Sequence, residues 1–94
     1  MNINNFEALD KVIKDNKILE KYKLDKIGVF GSFARGEASN DIDFYIEKTI
    51  ATDKLINLKS DLEKISEKNI DIMLKQYANP IILHRAKKDM KYVV

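Results

Sequence analysis

Two short segments of alternating polar and apolar side chains constrain the fold of this chain more than any other feature. They cover residues 41–47 and 69–74, and each has an apolar residue at every second position. Because successive side chains of a strand point to opposite faces, this period predicts two β-strands, each with one buried face. A helix is predicted between them from the spacing of Leu55, Leu58, Leu62 and Ile65.

The remaining segments extend this pattern towards both ends of the chain. Apolar residues spaced by three and four predict helices, an apolar run before a glycine predicts a buried strand, and Asn followed by Pro predicts a helix start. In chain order these rules predict a helix over residues 5 to about 21 with a break at 15–16, a strand over 26–30, a turn over 31–40, a helix from 52 to about 67, a helix from Asn79, and a short edge strand over 90–94. We therefore predict an α/β (α+β) fold: a single domain over residues 1–94, with a small mixed sheet of three to four strands and helices packed on one face.

The composition excludes several classes of protein. The 94 residues include no cysteine, which removes disulfides, thiolate catalysis and cysteine-based zinc sites. The 17 basic and 15 acidic residues give a net charge of +2 without a basic stripe, so no direct contact with nucleic acid is expected. No apolar run approaches the ~20 residues that span a bilayer, and the first residues do not resemble a secretion signal. We therefore expect a cytoplasmic protein that does not bind membranes.

Three aspartates are predicted to share one face of the sheet. Asp41 and Asp43 lie two positions apart, so both side chains project from the same side of their strand. Parity places Asp71 opposite Ile70 and Ile72, and if both apolar sides face the same helices, all three carboxylates meet on the open face. Carboxylate oxygens suit Mg²⁺, and two ions ~3.5–4 Å apart can assist an in-line displacement. The alternative is that the first pair is only the polar half of an amphipathic strand, although Asp is depleted in strands.

A glycine–serine turn precedes these carboxylates. Gly31-Ser32 directly follows the predicted buried strand, and glycine lets a backbone turn sharply and approach a ligand closely. Backbone N–H groups, the Ser32 hydroxyl and the Arg35 guanidinium are donors that suit phosphate oxygens. The turn matches neither the P-loop nor the dinucleotide-binding fingerprint. An ordinary strand-to-helix turn with a capping serine is the alternative, but a phosphate-binding turn beside paired carboxylates makes a coherent site.

The order of these motifs resembles the signature of minimal nucleotidyltransferases, the smallest branch of the DNA polymerase β-like nucleotidyltransferase superfamily. The matching segments are residues 31–37 (Gly-Ser-Phe-Ala-Arg-Gly-Glu), 41–44 (Asp-Ile-Asp-Phe) and 69–72 (Asn-Ile-Asp-Ile). The resemblance covers most of the chain from Ile27 onward and implies the polymerase β-like fold. It implies metal binding by Asp41, Asp43 and Asp71, and triphosphate binding by Gly31 and Ser32, with Arg35 nearby. Asp71 would also help to deprotonate the attacking hydroxyl.

Two features of the loop depart from the family pattern. Eight residues separate Ser32 from Asp41, where the family usually has ten. Asn40 stands just before the first aspartate, at a position that is commonly serine in the family. Asn retains hydrogen-bonding groups, so the departure concerns mainly the length of the loop.

The resemblance also implies a substrate and a partner. Members of the family are often paired with a HEPN-domain ribonuclease as antitoxin and toxin, and they transfer AMP from ATP to a toxin tyrosine. Because the chain ends at Val94, we expect the acceptor to be held by a partner protein or a second subunit. Two alternatives are an antitoxin that acts by binding alone and a nucleotidyltransferase that modifies a small molecule.

A few further side chains receive predictions of their own. Tyr45 alternates onto the aspartate face and could line the pocket, whereas the single histidine, His84, is expected at the surface or in packing. Core positions are predicted for Phe30, Phe33 and Phe44, and anchoring positions in the last helix for Ile81, Ile82 and Ala86.

Overall fold

The computed structural model describes residues 3–94, which contain four strands and five helices. The predicted strands and helices follow one another in the predicted order, and one short helix lies within the predicted turn over 31–40. Residues 1 and 2, at the start of the predicted domain, lie outside the described range. The elements are α1 (Phe6–Asp15), α2 (Ile18–Lys21), β1 (Ile27–Phe30), α3 (Gly31–Ala34), β2 (Asp41–Ile46), α4 (Thr52–Ser66), β3 (Asn69–Leu74), a 3-10 turn (Lys75–Tyr77), α5 (Pro80–Asp89) and β4 (Lys91–Val93). The predicted break in the first helix is confirmed, because Lys17 adopts a left-handed conformation with φ 54 between α1 and α2.

The strands form one mixed sheet with the order β3-β2-β1-β4. β1 pairs antiparallel with both β2 and β4, while β2 and β3 are parallel and joined through α4. The predicted mixed sheet, including its short edge strand at the end of the chain, is confirmed. The register places Asp43 beside Phe30 of β1 on one side and beside Asp71 of β3 on the other.

One face of the sheet is covered by helices and holds the main core. α1 and α4 contact each other, α4 contacts β3, and the apolar side of β2 is fully buried beneath them. The main-core side chains from the sheet are those of Ile27, Val29, Ile42, Phe44, Ile46, Ile70 and Val93. The predicted burial of Phe33 and Phe44 is confirmed, whereas Phe30 is only partly buried.

The opposite face carries one helix that the prediction placed with the others. α5 packs against β1 there, and Met90 at its end lies over Gly28. A Cβ atom on Gly28 would lie 2.5 Å from the Met90 Sδ atom and 3.3 Å from the Tyr45 Cβ atom, so the glycine is what allows this close packing. Tyr45 is buried on this face and is absent from the lining of the cavity beside the aspartates.

The start of α5 follows from its sequence. Asn79 occupies the N-cap position, where its side-chain oxygen accepts hydrogen bonds from the backbone N–H groups of Ile81 and Ile82, and Pro80 follows it. Ala86 is buried as predicted, but Ile81 and Ile82 are 66% and 55% exposed, so their predicted anchoring role is wrong. His84 is exposed, as expected. Within residues 3–94, no helix is both long and apolar enough to cross a membrane.

Candidate active site

The glycine at the end of β1 lies directly against an aspartate of β2. Gly31 has φ +76, a left-handed conformation that other residues rarely adopt. A Cβ atom at this position would lie 2.5 Å from the Asp43 Oδ2 atom. Glycine is therefore required here for two reasons, the direction of the turn and the space taken by the carboxylate. This contact places the glycine–serine turn beside the acidic strand, as the sequence predicts.

Two of the three predicted aspartates line one cavity. Asp43 and Asp71 are register partners in the parallel pair β2 and β3, so their side chains leave the sheet on the same face. The cavity beside them has a volume of about 460 Å³. Its other lining residues are Phe30, Ile72, Met73, Leu74, Tyr77 and Ile82. The site therefore combines an acidic end with an apolar wall.

The charge of Asp43 lacks compensation. Burial raises the pKa of the Asp43 carboxyl, and the neighbouring carboxylates of Asp71 and Asp41 raise it further. Within the described part of the chain, no side-chain hydrogen bond or ion pair reaches this carboxylate. A half-buried carboxylate between two others is an arrangement that a cation would stabilise.

Asp41 lies at the start of β2 and is exposed, outside the lining of the cavity. The loop before it is fixed by Ser39, whose hydroxyl accepts a hydrogen bond from the Asp41 N–H (3.1 Å) and donates to the Asp41 carbonyl (2.8 Å). The Lys68 ammonium donates to the Ser39 carbonyl at 3.0 Å, and the Asn69 N–H donates to the Asn40 carbonyl at 2.9 Å. The shortened loop is therefore anchored to the segment that leads into β3.

Arg35 is absent from the lining of the cavity and forms ion pairs outside it. Its Nε atom donates to Glu37 at 2.6 Å, and its Nη1 atom donates to Asp89 of α5 at 2.9 Å. The hydrogen bond to Glu37, and to a smaller extent the one to Asp89, raises the pKa of the Arg35 guanidinium above its usual value. The structure thus uses Arg35 to join the turn after α3 to the end of α5.

The three acidic residues do not form a closed ligand cluster. Among residues 3–94, no group of three or more His, Cys, Asp or Glu side chains is close enough to hold a metal ion. The structure brings Asp43, Asp71 and Gly31 together and leaves Asp41 at the edge and Arg35 outside.

Two residues of the apolar wall were not predicted as part of a site. Tyr77 and Ile82 line the cavity and remain 80% and 55% exposed. A sequence signal for them exists, because Ile81-Ile82 stands in the first turn of a helix whose other positions are mostly polar. The helical period alone does not show whether such a pair faces a core or a cavity.

In this mixed sheet, carboxylates of two neighbouring strands lie beside a glycine turn. The family model described as Polymerase beta, Nucleotidyltransferase matches residues 13–94. The chain therefore belongs to this nucleotidyltransferase family, as its motifs predict.

Individual proteins agree with this assignment. MJ0126 of Methanocaldococcus jannaschii, described as a candidate protein adenylyltransferase, is 36% identical over 92 residues, which cover 93% of this chain and 92% of the relative. A solved toxin–antitoxin structure with AMP-PNP superposes with a TM-score of 0.70 at 22% identity, covering 88% of this chain and 72% of that one. A structure of a tri-AMPylated Shewanella oneidensis HEPN toxin in complex with an MNT antitoxin gives 0.64 at 19% identity, covering 94% and 71%. The two structures show that the fold is shared, and the predicted nucleotidyltransferase fold is confirmed.

Proposed function

We propose that this chain transfers AMP from ATP to a protein hydroxyl, a tyrosine of a HEPN-type toxin, and thereby acts as an antitoxin in the cytoplasm, where ATP and Mg²⁺ are available. The observation that carries the proposal is the pairing of Asp43 with Asp71 beside the turn at Gly31. The names of the relatives support it: one is described as a candidate protein adenylyltransferase, and one structural neighbour contains a tri-AMPylated HEPN toxin. The neighbour with AMP-PNP supports ATP as the donor.

The acidic side chains fit Mg²⁺. Asp43 has a raised pKa because it is partly buried beside Asp71 and Asp41, and a divalent cation would relieve this repulsion. Mg²⁺ keeps waters and phosphate oxygens among its ligands, so it does not require a closed cage of protein side chains. Asp43 and Asp71 would hold it at the cavity, with Asp41 at the exposed side. When bound, one or two ions would neutralise charge on the attacking and leaving oxygens.

The chain's own residues would orient the reaction. Backbone N–H groups of Gly31 and Ser32, with the Ser32 hydroxyl, would bind the triphosphate beside Asp43. The hydroxyl oxygen of the acceptor would attack the α-phosphorus, the bond to the β-phosphate oxygen would break, and pyrophosphate would leave with the electron pair. Asp71 would accept the proton of the attacking hydroxyl. Arg35 would keep the turn in place through its ion pairs, or reach the phosphates by exchanging them.

A labelling experiment tests the proposal. The chain is incubated with α-³²P-ATP, Mg²⁺ and the HEPN-domain protein encoded next to it, and we expect label on a tyrosine of that partner. Asp43→Asn should abolish labelling, whereas Asp53→Asn, which changes an exposed carboxylate in the first turn of α4, should preserve it. Label that persists at full rate in Asp43→Asn, or no label with the wild-type chain, would contradict the proposal.

A second candidate function is inhibition of the partner by binding alone. The exposed position of Asp41 and the lack of a three-residue acidic cluster in the described range favour it. It predicts that the double variant Asp41→Asn/Asp43→Asn still protects cells from the toxin. Loss of protection by a double variant that still forms the complex would reject this candidate and support catalysis.

A further inference from the structure

The lining of the cavity beside the paired aspartates is of two chemical kinds. Asp43 and Asp71 supply carboxylates, and Met73, Tyr77 and Ile82 belong to the apolar wall. Tyr77 and Ile82 are among the few large apolar side chains that stay exposed in residues 3–94, and the neighbouring Ile81 is 66% exposed. An apolar surface that continues into a reactive centre is a candidate for substrate contact.

The register of the sheet indicates which substrate this wall contacts. Asp43 pairs with Phe30 of β1 on one side and with Asp71 of β3 on the other, so the Gly31 turn and Asp71 lie on opposite sides of Asp43. In an in-line displacement, the leaving pyrophosphate and the incoming hydroxyl lie on opposite sides of the α-phosphorus. If the triphosphate binds at the Gly31 turn, the acceptor must enter from the β3 side. Met73 of β3 and Tyr77 of the 3-10 turn after it lie on that side, and Ile82 of α5 lines the same cavity.

We infer that this wall is the acceptor subsite, and that Tyr77 and Ile82 hold a tyrosine-bearing segment of a partner protein with its phenol directed towards Asp71. The inference rests on the proposed function, because it uses the direction of the triphosphate. A cavity of about 460 Å³ has room for an aromatic side chain. An apolar wall beside carboxylates matches a phenol, which has an apolar ring and an acidic hydroxyl.

The charge beside the wall indicates a further property of the partner segment. Arg85 lies three and four positions after Ile82 and Ile81 on α5, so the three side chains are neighbours on the helix surface. Arg85 is exposed, and it forms no ion pair within the described part of the chain. A positive charge beside an apolar patch is complementary to a segment in which an acidic residue stands near the acceptor tyrosine.

Separate measurements of nucleotide binding, acceptor binding and turnover test the inference. The variants are Tyr77→Ala, Ile82→Ser and Arg85→Glu, and the control is Ile56→Ser, which changes an isoleucine of α4 that is 63% exposed and absent from the cavity lining. The probes are AMP-PNP and the HEPN-domain protein encoded next to the chain. Far-ultraviolet circular dichroism checks that each variant folds; all four sites are exposed, so we expect no loss of structure.

For Tyr77→Ala and Ile82→Ser we expect the KM for the HEPN-domain protein to rise by about tenfold or more, with kcat and the Kd for AMP-PNP within about twofold of wild type. Arg85→Glu should also raise the KM, with an effect that weakens at high salt. Ile56→Ser should change none of these values. If Tyr77→Ala and Ile82→Ser instead raise the Kd for AMP-PNP and leave the KM for the HEPN-domain protein unchanged, the inference is overturned and the wall contacts the nucleoside. No change in any value would overturn it as well.

The measurement of binding to the HEPN-domain protein separates this inference from the proposed function. A wild-type chain that binds the HEPN-domain protein but does not label it defeats the proposed function, and the Kd values of the variants for that protein then decide the inference. Weakened binding by Tyr77→Ala, but not by Ile56→Ser, would support it, and equal binding would overturn it. A wild-type chain that neither binds nor labels the protein overturns both.

Discussion

The two faces of the sheet differ in how their charged groups are balanced. On the covered face, Asp61 of α4 accepts hydrogen bonds from the Lys21 ammonium and the Tyr22 hydroxyl, and these bonds lower the pKa of the Asp61 carboxyl. On the cavity face, Asp43 has Asp71 and Asp41 as its charged neighbours, and burial together with these carboxylates raises its pKa. The Asp61 carboxylate is therefore stabilised by hydrogen-bond donors. The Asp43 carboxylate is instead repelled by its charged neighbours.

This difference indicates which face serves stability and which serves chemistry. The covered face contains the apolar core and a satisfied carboxylate, so changes there should act on folding. The cavity face contains a glycine in the left-handed conformation, clustered charge and exposed apolar residues. The clustered charge and the exposed apolar residues destabilise a fold and are typical of functional sites. The difference can be tested by substitutions that should affect one property and spare the other.

The largest effect is expected on catalysis from the cavity face. Asp43→Asn keeps the shape of the side chain but removes its charge, so cation binding and charge neutralisation in the transition state should be lost. Metal ions contribute several kcal/mol to such reactions, and we expect labelling of the partner to fall by about a thousandfold. Single-turnover labelling at saturating ATP measures this, with Asp53→Asn as the control. A fall of less than about tenfold would remove Asp43 from the reaction.

The covered face should respond through stability. Leu62 of α4 is completely buried in the main core, and Leu62→Ala should lower the free energy of unfolding by about 3 kcal/mol through lost burial and a residual cavity. Urea unfolding measures the change. Ile56→Ala on the same helix, at a site that is 63% exposed, should change it by less than about 0.5 kcal/mol. Similar losses in both variants would show that α4 does not separate a buried side from an exposed one.

The sequence predicted the covered face better than the cavity face. The alternation in residues 41–47 and 69–74 is a local pattern, and it predicted correctly that Ile42, Phe44 and Ile46 are buried and that Asp43 and Asp71 leave the sheet on the same side. The position of α5 depends on packing over Gly28, which the sequence shows only as a glycine in a strand.

The contacts of Arg35 could not be predicted for a related reason. Its partner Asp89 lies 54 positions away, at the end of a helix whose placement is a tertiary property. Burial of Tyr45 likewise follows from the space that Gly28 leaves on the neighbouring strand. Side-chain parity places a residue on a face, but the element that covers this face decides whether the residue lines a cavity or packs in a core.

Two glycines with positive φ allow the backbone strain of an alanine substitution to be distinguished from a direct effect on the site. Gly31 and Gly36 have φ values of +76 and +84, so alanine at either position should lower the free energy of unfolding by about 1–2 kcal/mol. Only the Cβ atom at position 31 would meet a site residue, the Asp43 carboxylate, whereas at position 36 there is nothing within 4 Å. Gly31→Ala should therefore also reduce labelling by about tenfold to a hundredfold, because the carboxylate must move.

The control in this experiment is the activity of Gly36→Ala. We expect it to unfold at a lower urea concentration than wild type but to label the partner at nearly the wild-type rate. If both variants lose activity equally, general destabilisation explains the effect, and the contact between Gly31 and Asp43 has no special role.

The smallest expected effect concerns the pH dependence of stability in the absence of metal. The pKa of Asp43 is raised in the folded state, so folding favours its protonated form. Its stabilising contribution is present below the unfolded pKa, near 3.8, and is lost as the pH rises through the folded pKa. At neutral pH the charged form destabilises the fold. Asp43→Asn should then be more stable than wild type in EDTA, by about 0.5 kcal/mol for a partly solvated group.

Urea unfolding of both proteins from pH 4 to 8 measures this difference, which should be near zero at the acidic end and grow with pH. Mg²⁺ should reverse its sign at neutral pH, because only the wild-type chain gains stability from cation binding. Asp61 provides the opposite case, because its pKa is lowered in the folded state. Its charged form stabilises the fold above the unfolded pKa, near 3.8, and this stability is lost as the pH falls through the folded-state pKa. Asp61→Asn should therefore be less stable than wild type at neutral pH. If the two variants shift stability in the same direction, the two faces do not differ in charge balance, and the repulsion at Asp43 is not what makes this face suited to a cation.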